Sequence, residues 1–479
     1  MRNIALTFLG CFTILAACSN SDDAEKPVAP IPTGDVTIYS TTNSLTRDLT
    51  RDAVNFSLKD NLAPTSITLN PTEQYQTMDG FGVAITGATC FNLLQMKPED
   101  RHAFLTETFS DDKGFGFSYI RISIGCSDFS LSEYTCCDKK GIENFALQSE
   151  EKEYILPILK EILDINPSIK IIAAPWTCPT WMKVKSLTDL TPFESWTNGQ
   201  LNPAYYQDYA TYFVKWVQAF NAEGIDIYAV TPQNEPLNRG NSASLYMSWE
   251  EQRDFVKTAL GPKFKTAGLA TKIYAYDHNY DYSDIETEKN YPGKMYEDPA
   301  ASQYLAGAAY HNYGGNREEL LNMHKAYPEK ELLFTETSIG TWNSGRDLSK
   351  RLLEDMKEVA LGTINNWCKG VIVWNLMLDN DRAPNREGGC QTCYGAVDIS
   401  NSDYKTIIRN SHYYIIAHLS SVVKPGALRI GATGYADSNI MYSAFENPDG
   451  TYAFVLMNNN EKTKRITFSD GKRHFAYDV

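Results

Sequence analysis

The chain lacks dense clusters of Lys and Arg. Its 44 basic residues are outnumbered by 59 acidic ones, for a formal charge of −15. Nucleic-acid binding draws its affinity from neutralising phosphates with clustered cations, so that class is disfavoured. Long hydrophobic runs are scarce as well. Only Ile4 to Ala17 is continuous enough to notice, and a spanning helix needs about 20 apolar residues. No Gly-x-Gly-x-x-Gly follows a strand-like run, and there is no Walker sequence, His-Glu-x-x-His or calcium-loop spacing. No cofactor or metal is therefore implied. What the chain does have is length and rings: 479 residues, 43% hydrophobic and 12% aromatic, with 29 Tyr, 21 Phe and 8 Trp. That allows two or three domains with ample core, and excludes wholesale disorder. An acidic surface with many Trp and Tyr suits a neutral, hydroxylated ligand that packs on ring faces.

The apolar run follows Arg2 and ends Leu15-Ala16-Ala17-Cys18. Its length is that of a signal-peptide core. The ending resembles the bacterial lipoprotein box, in which the Cys is lipidated and becomes the first mature residue; the alternative is an ordinary signal peptide cut after a small residue. Asp22 and Asp23 resemble a surface-export signal, and Pro27, Pro30, Pro32 and Gly34 mark a tether. The reading is a signal peptide over 1–17, lipidated Cys18 and tether over 18–35. Its destination is the outer membrane, surface-exposed, with the periplasm as the alternative and lipid as the membrane contact.

Besides Cys11 and Cys18 there are eight cysteines: 90, 126, 136, 137, 178, 368, 390 and 393. Cys390-Gln-Thr-Cys393 has half of a zinc-site spacing without the other half, so a local disulfide or free thiols are expected rather than metal. Cys136 and Cys137 are open to pairing elsewhere.

Eight short apolar runs recur along the chain: Gly82–Ile85, Tyr119–Ile124, Ile169–Ala173, Ile227–Thr231, Lys272–Tyr276, Ala306–Tyr310, Leu332–Thr335 and Val371–Trp374. They are continuous rather than alternating, as parallel strands covered on both faces are. Between them lie amphipathic stretches with helical period, such as Tyr205, Tyr209, Tyr212, Phe213, Trp216 and Phe220 behind a cap at Asn202 and Pro203. Alternating strands and helices, eight times, predict a (β/α)8 TIM barrel over 76–424. Segments 36–75 and 425–479 break that rhythm. Val36–Thr41, Ile67–Leu69, Ile440–Phe445, Tyr452–Met457 and Arg465–Phe468 read as strands, with a hairpin turn at Asn447-Pro448-Asp449-Gly450. The expectation is a small antiparallel β-sandwich side domain formed from both chain ends.

Barrel chemistry sits at the C-terminal ends of strands. The fourth run leads into Gln233-Asn234-Glu235-Pro236 and the seventh into Thr335-Glu336-Thr337. A carboxylate beside an apolar run is costly unless paired or used. Each Glu alone could be a salt-bridged or capping residue. Two facing one cavity are what glycoside hydrolysis needs, one to protonate the leaving oxygen and one to attack the anomeric carbon.

The ordered motifs Gly80-Phe81-Gly82, Ile120-Arg121-Ile122, Ser127-Asp128-Phe129, Pro175-Trp176-Thr177-Cys178-Pro179-Thr180-Trp181, Asn234-Glu235-Pro236, His311-Asn312-Tyr313, Thr335-Glu336-Thr337 and Trp374-Asn375-Leu376 resemble glycoside hydrolase family 30 from about Gln76 to Val423. That family includes glucosylceramidases, β-1,6-glucanases and β-xylosidases. The resemblance implies Glu235 as acid/base and Glu336 as nucleophile. It implies Asn234 on the sugar 2-hydroxyl, and Asp128, Trp176 and Trp374 around the non-reducing sugar. His311 and Tyr313 would stand near the carboxylates, with Arg121 supporting Glu336 by charge. The plainer alternatives are core packing for the two Trp and His311, and a structural role for Arg121. Trp181, Trp342, Tyr280 and Tyr282 are candidate loop aromatics for further subsites, or local packing.

Two departures bear on substrate. Family members often carry an Asp after the first strand, where this chain has Thr86-Gly87-Ala88; a hydroxyl-binding or structural carboxylate is then expected to be absent. Segment Asp379–Tyr394, with Arg382, Arg386 and Glu387, resembles the bacterial β-1,6-glucanase branch. The chain ends at Tyr477-Asp478-Val479, before the final strand that the resemblance implies, so either a trimmed chain or a missing last strand is expected. The expected activity is a retaining β-1,6-glucanase acting on an oligo- or polysaccharide. Alternatives are a glucosylceramidase-like, β-xylosidase or β-fucosidase exo-enzyme, or a non-catalytic glycan-binding surface lipoprotein.

Overall fold

The computed structural model describes residues 32–57, 62–282 and 284–479. The leader, Cys18 and most of the tether fall outside them. Among the described residues no helix is long and apolar enough to cross a membrane.

Eight parallel strands close into a barrel: β1 Gly80–Ala84, β2 Tyr119–Ser123, β3 Lys170–Ala174, β4 Ala229–Val230, β5 Lys272–Asn279, β6 Leu305–His311, β7 Glu331–Glu336 and β8 Cys368–Val373. Each coincides with one of the eight apolar runs. β1, β2 and β4 are buried at every position, which is why the runs are continuous. The helices bury the stripes that their period predicts. Helix Tyr206–Ala222 buries Tyr209, Tyr212, Phe213, Trp216 and Phe220. It is entered through a turn capped by Asn202, whose Oδ1 accepts from the Ala204 amide at 3.0 Å.

Tyr119, Ile172, Ala229, Tyr274, Ala309, Leu333 and Ile372 form one cluster although they come from seven strands. Only the barrel interior brings them together. Side chains on a strand return to the same face every second residue. The next inward positions are thus Arg121, Ala174, Thr231, His311, Thr335 and Trp374: an apolar layer below, a mostly polar one above. β5 breaks the count. A register irregularity between Tyr276 and His278 replaces the expected position 276 with Asp277.

Both chain ends build the side domain. A six-stranded sheet runs in the order Tyr452–Asn458, Ile440–Glu446, Leu428–Gly434, Ser66–Thr77, Arg465–Ser469, His474–Asp478. Ser66–Thr77 crosses the expected boundary at 75/76 and leads directly into the barrel. All pairs are antiparallel except Arg465–Ser469 with Ser66–Thr77, which is parallel. Val36–Ser40 and Thr50–Val54 form a separate antiparallel ribbon. It meets the sheet through Asp52, which accepts from Tyr477 Oη at 2.5 Å, and through the Phe56–Phe475 ring pair. The Asn447–Gly450 turn closes with Gly450 N donating to Asn447 O at 2.9 Å.

Cys390 and Cys393 form a disulfide, one of the two outcomes expected of that spacing. Cys136 and Cys137 do not pair: both are buried free thiols, packed in the apolar core.

Candidate active site

The upper layer of the barrel gathers the two glutamates. One carboxylate oxygen of Glu235, one of Glu336 and a ring nitrogen of His311 all lie within 4.8 Å of one another. Glu235 follows β4 with φ 45°, its amide donating to Asp277 O at 2.9 Å. Glu336 ends β7. Both are buried in the barrel mouth.

Arg121 lies beneath them, fully buried. Nη1 donates to Glu336 Oε2 at 2.5 Å, while Nη2 donates to Asn234 Oδ1 at 2.7 Å and Asp277 Oδ2 at 2.8 Å. Its guanidinium also sits 5.0 Å from the Trp176 ring and 5.4 Å from that of Trp374. With the Asn234 carbonyl oxygen turned to Arg121, the amide N–H is the end left for a ligand. Tyr313 Oη donates to Glu336 Oε1 at 3.0 Å. On the other carboxylate, Asn238 Nδ2 donates to Glu235 Oε2 at 2.7 Å and His311 Nδ1 lies 3.3 Å from Oε1.

The charges are unevenly held. Burial works against the His311 cation, yet Glu336 and the hydrogen bonds to Asp277 and Glu235 push its pKa up to about 9. Burial likewise works against ionised Glu235, yet the hydrogen bond from His311 and the charges of His311 and the neighbouring His278 bring it down to about 2. Burial raises the Glu336 carboxyl, opposed by His311 and Arg121. A permanent cation at hydrogen-bond distance makes the anion the form this position is built for. Asp128 is pushed up to about 8 by burial and by the charges of Glu336 and Glu235. That favours the neutral carboxylic acid, which donates as well as accepts.

The expected residues assemble. Trp176 and Trp374 are buried and their rings meet at 5.2 Å, beside Phe129 at 6.2 Å from Trp374. The β8 loop closes one side: Arg386 Nη2 donates to the carbonyls of Ser127 at 2.7 Å and Ser242 at 2.5 Å. At Gly389 a Cβ would stand 2.2 Å from Asp128 O. Of the loop aromatics, Trp181 is packed locally, its indole N–H on Cys137 O at 2.8 Å and its ring against Tyr205. Tyr280 is buried against Tyr310 and Phe334. Tyr282 hydrogen-bonds His278 at 3.0 Å, and Trp342 is 54% exposed.

The Thr86-Gly87-Ala88 departure has a different outcome from the expected one. A buried carboxyl does stand beside residue 87, supplied by Glu150 rather than by the segment itself. Asp277, His278, Thr231 and Thr335 join the site without a role that the sequence pattern assigns them. Asp277-His278 directly follows the fifth apolar run, Lys272–Tyr276, the same signal that marks the two glutamates.

The glycosyl hydrolase family 30 TIM-barrel domain matches residues 78–423, and the family 30 beta sandwich domain residues 426–479. The chain belongs to glycosyl hydrolase family 30. It is a glycoside hydrolase. Within the family it is similar to an endo-1,6-beta-D-glucanase of Trichoderma harzianum, 32% identical over 80% of this chain and 78% of that one. It is also similar to the lysosomal acid glucosylceramidase of Mus musculus, 26% identical over 86% of this chain and 81% of that one. Among solved structures, an endo-beta1,6-glucanase superposes with TM-score 0.92 at 86% identity, covering 93% of this chain and 97% of that chain.

Proposed function

We propose that this family 30 enzyme is an endo-acting β-1,6-glucanase that retains anomeric configuration. The observation that carries the mechanism is the spacing of its carboxylates, with an oxygen of each within 4.8 Å of the other. Retaining enzymes hold the two groups about 5–5.5 Å apart, whereas inverting ones leave roughly 6.5–9.5 Å for a water. Glu336, anionic beside Arg121, attacks the anomeric carbon. Glu235 gives its proton to the leaving glycosidic oxygen, then takes one from the water that releases the glycosyl-enzyme. The Asn234 amide donates to the 2-hydroxyl, a contact that strengthens as positive charge grows on the ring. Asp128 binds hydroxyls, and the Trp176 and Trp374 rings face the apolar C–H surface.

The 86% identity to a solved endo-β-1,6-glucanase supports the linkage. Pustulan, an aryl-β-glucoside and an aryl-β-xyloside assayed side by side test it. Pustulan is expected to be cut internally, with the first product in the β configuration by NMR; preference for either aryl glycoside would assign a glucosylceramidase-like or xylosidase activity instead. Glu336→Gln is expected to abolish turnover, and near-normal activity in that variant would refute the assignment. Supported by its apolar leader and the Leu15–Cys18 box, the enzyme is further proposed to be an exported outer-membrane lipoprotein. Mass spectrometry of the mature N-terminus would find a lipidated Cys18, and an unmodified residue there would overturn that placement.

A further inference from the structure

Asp277 lies beneath both halves of the catalytic pair. Its φ is 67° and that of Tyr276 is 73°. Such left-handed positions are strained at non-glycine residues and persist where the surroundings enforce them. The resulting irregularity in β5 turns Asp277 into the barrel, fully buried. There its carboxylate accepts from Arg121 Nη2 at 2.8 Å, Thr231 Oγ1 at 2.7 Å and Thr335 Oγ1 at 2.6 Å, with His311 Nε2 at 3.1 Å. Four partners occupy its lone pairs, so it has nothing to offer a substrate. Through Arg121 it reaches Glu336, and through His311 it reaches Glu235.

We propose that Asp277 is a positioning residue that holds His311 as the proton store for Glu235. The proposal rests on the acid/base reading of Glu235. With the sugar site empty, the proton sits on His311 Nδ1, facing an ionised Glu235. When substrate enters and strips water from Glu235, the Nδ1–H bond breaks, its electron pair stays on nitrogen, and an O–H bond forms at Glu235 Oε1, 3.3 Å away. His311 becomes neutral and keeps its Nε2–H on Asp277. Glu235 then passes the proton to the glycosidic oxygen as the C–O bond breaks. The hydrolytic water later returns one.

The surroundings of His311 favour this arrangement. Glu235 faces it from the loop after β4, Asp277 and His278 from β5, and Glu336 from β7. Tyr313 stands beside it on its own loop, and Arg121 acts through Asp277. Glu235, Asp277 and Glu336 together hold the imidazolium against burial. His278 does not compete. Burial brings it down to about 4, and its Nδ1 accepts from the Leu237 amide at 3.4 Å.

Histidine-selective NMR of the intact enzyme reads the store directly, with His311 assigned by the signal lost in His311→Gln. His311 is expected to stay protonated to roughly pH 8 or above, and Asp277→Asn to lower its titration by about one unit or more. In turnover, Asp277→Asn is expected to move the alkaline limb of kcat down by about one pH unit and to cut kcat roughly tenfold or more, with KM little changed. A His311 that is neutral at pH 7 in the unaltered enzyme would overturn the proposal, with no variant needed. So would an Asp277→Asn enzyme that is slower by one factor at every pH. An inactive enzyme with a protonated His311 would instead refute the functional reading alone.

Discussion

Oε1 of Glu150 lies 2.0 Å from where a Cβ on Gly87 would stand. The glycine is what lets a carboxyl from the first turn of the helix between β2 and β3 sit beside the start of helix Gly87–Gln95. There Glu150 Oε2 accepts the Leu131 amide at 2.9 Å and braces the segment that carries Asp128 and Phe129. In this enzyme the carboxyl near the first strand is thus an internal strut rather than part of the segment after β1.

Restoring an acidic residue at that point should therefore hurt. Gly87→Asp is expected to lower stability by roughly 2 kcal/mol or more, because two buried carboxyls would compete for one space. Glu150→Ala in the same background should recover part of the loss. Thermal melts of the natural enzyme and the two variants check this, and an unchanged melting temperature in Gly87→Asp would exclude the steric account.

Glu150 also sets a pH dependence. Burial pushes its pKa up to about 7, so the folded state prefers the neutral acid. A raised folded-state pKa contributes stability that is complete below the ordinary carboxylate range and lost as pH rises through about 7. Glu150→Gln keeps an acceptor for Leu131 without the charge. Its advantage in melting temperature over the natural enzyme is expected to grow between about pH 5 and about pH 8.

Arg121→Lys preserves charge but not reach. One ammonium cannot serve Glu336, Asn234 and Asp277 together in the planar geometry seen here. Steady-state kinetics should show kcat/KM lower by roughly 10–100-fold, equivalent to about 1.4–2.7 kcal/mol of transition-state stabilisation. A rate equal to the natural enzyme's would mean that charge alone suffices.

Arg386 ties the β8 loop to the Ser127 and Ser242 carbonyls and touches neither glutamate. Arg386→Ala is expected to raise KM for glucan by about threefold or more with kcat nearly unchanged, since it loosens the wall of the binding site without altering the reacting groups. Limited proteolysis should then cut within 379–394 sooner.

Trp342 is the exposed ring on the β7 loop. Trp342→Ala should leave stability within about 0.5 kcal/mol. If the ring supports a distant sugar of the chain, hydrolysis of pustulan slows while that of a short aryl glucoside does not. Equal slowing of both would place its effect on the catalytic centre.

The barrel and its reactive pair could be read from the amino-acid order because both follow local rules. Apolar runs such as Tyr119–Ile124 are continuous since parallel strands are covered on both faces, and Glu235 and Glu336 stand out because charge beside such a run is costly. What surrounds the pair could not be read that way. Whether Trp181 lines a subsite or packs on Tyr205, whether Cys136 finds a partner, and whether a carboxyl fills the space beside Gly87 all depend on residues far away in the chain. Asp277 is the clearest case. Its inward aim comes from a β5 irregularity that breaks the two-residue alternation, and its four partners come from β2, β4, β6 and β7. Strand order determined which side chains could face the cavity; only closure of the barrel decided which of them meet, because hydrogen-bond contact between distant segments is a property of the assembled interior.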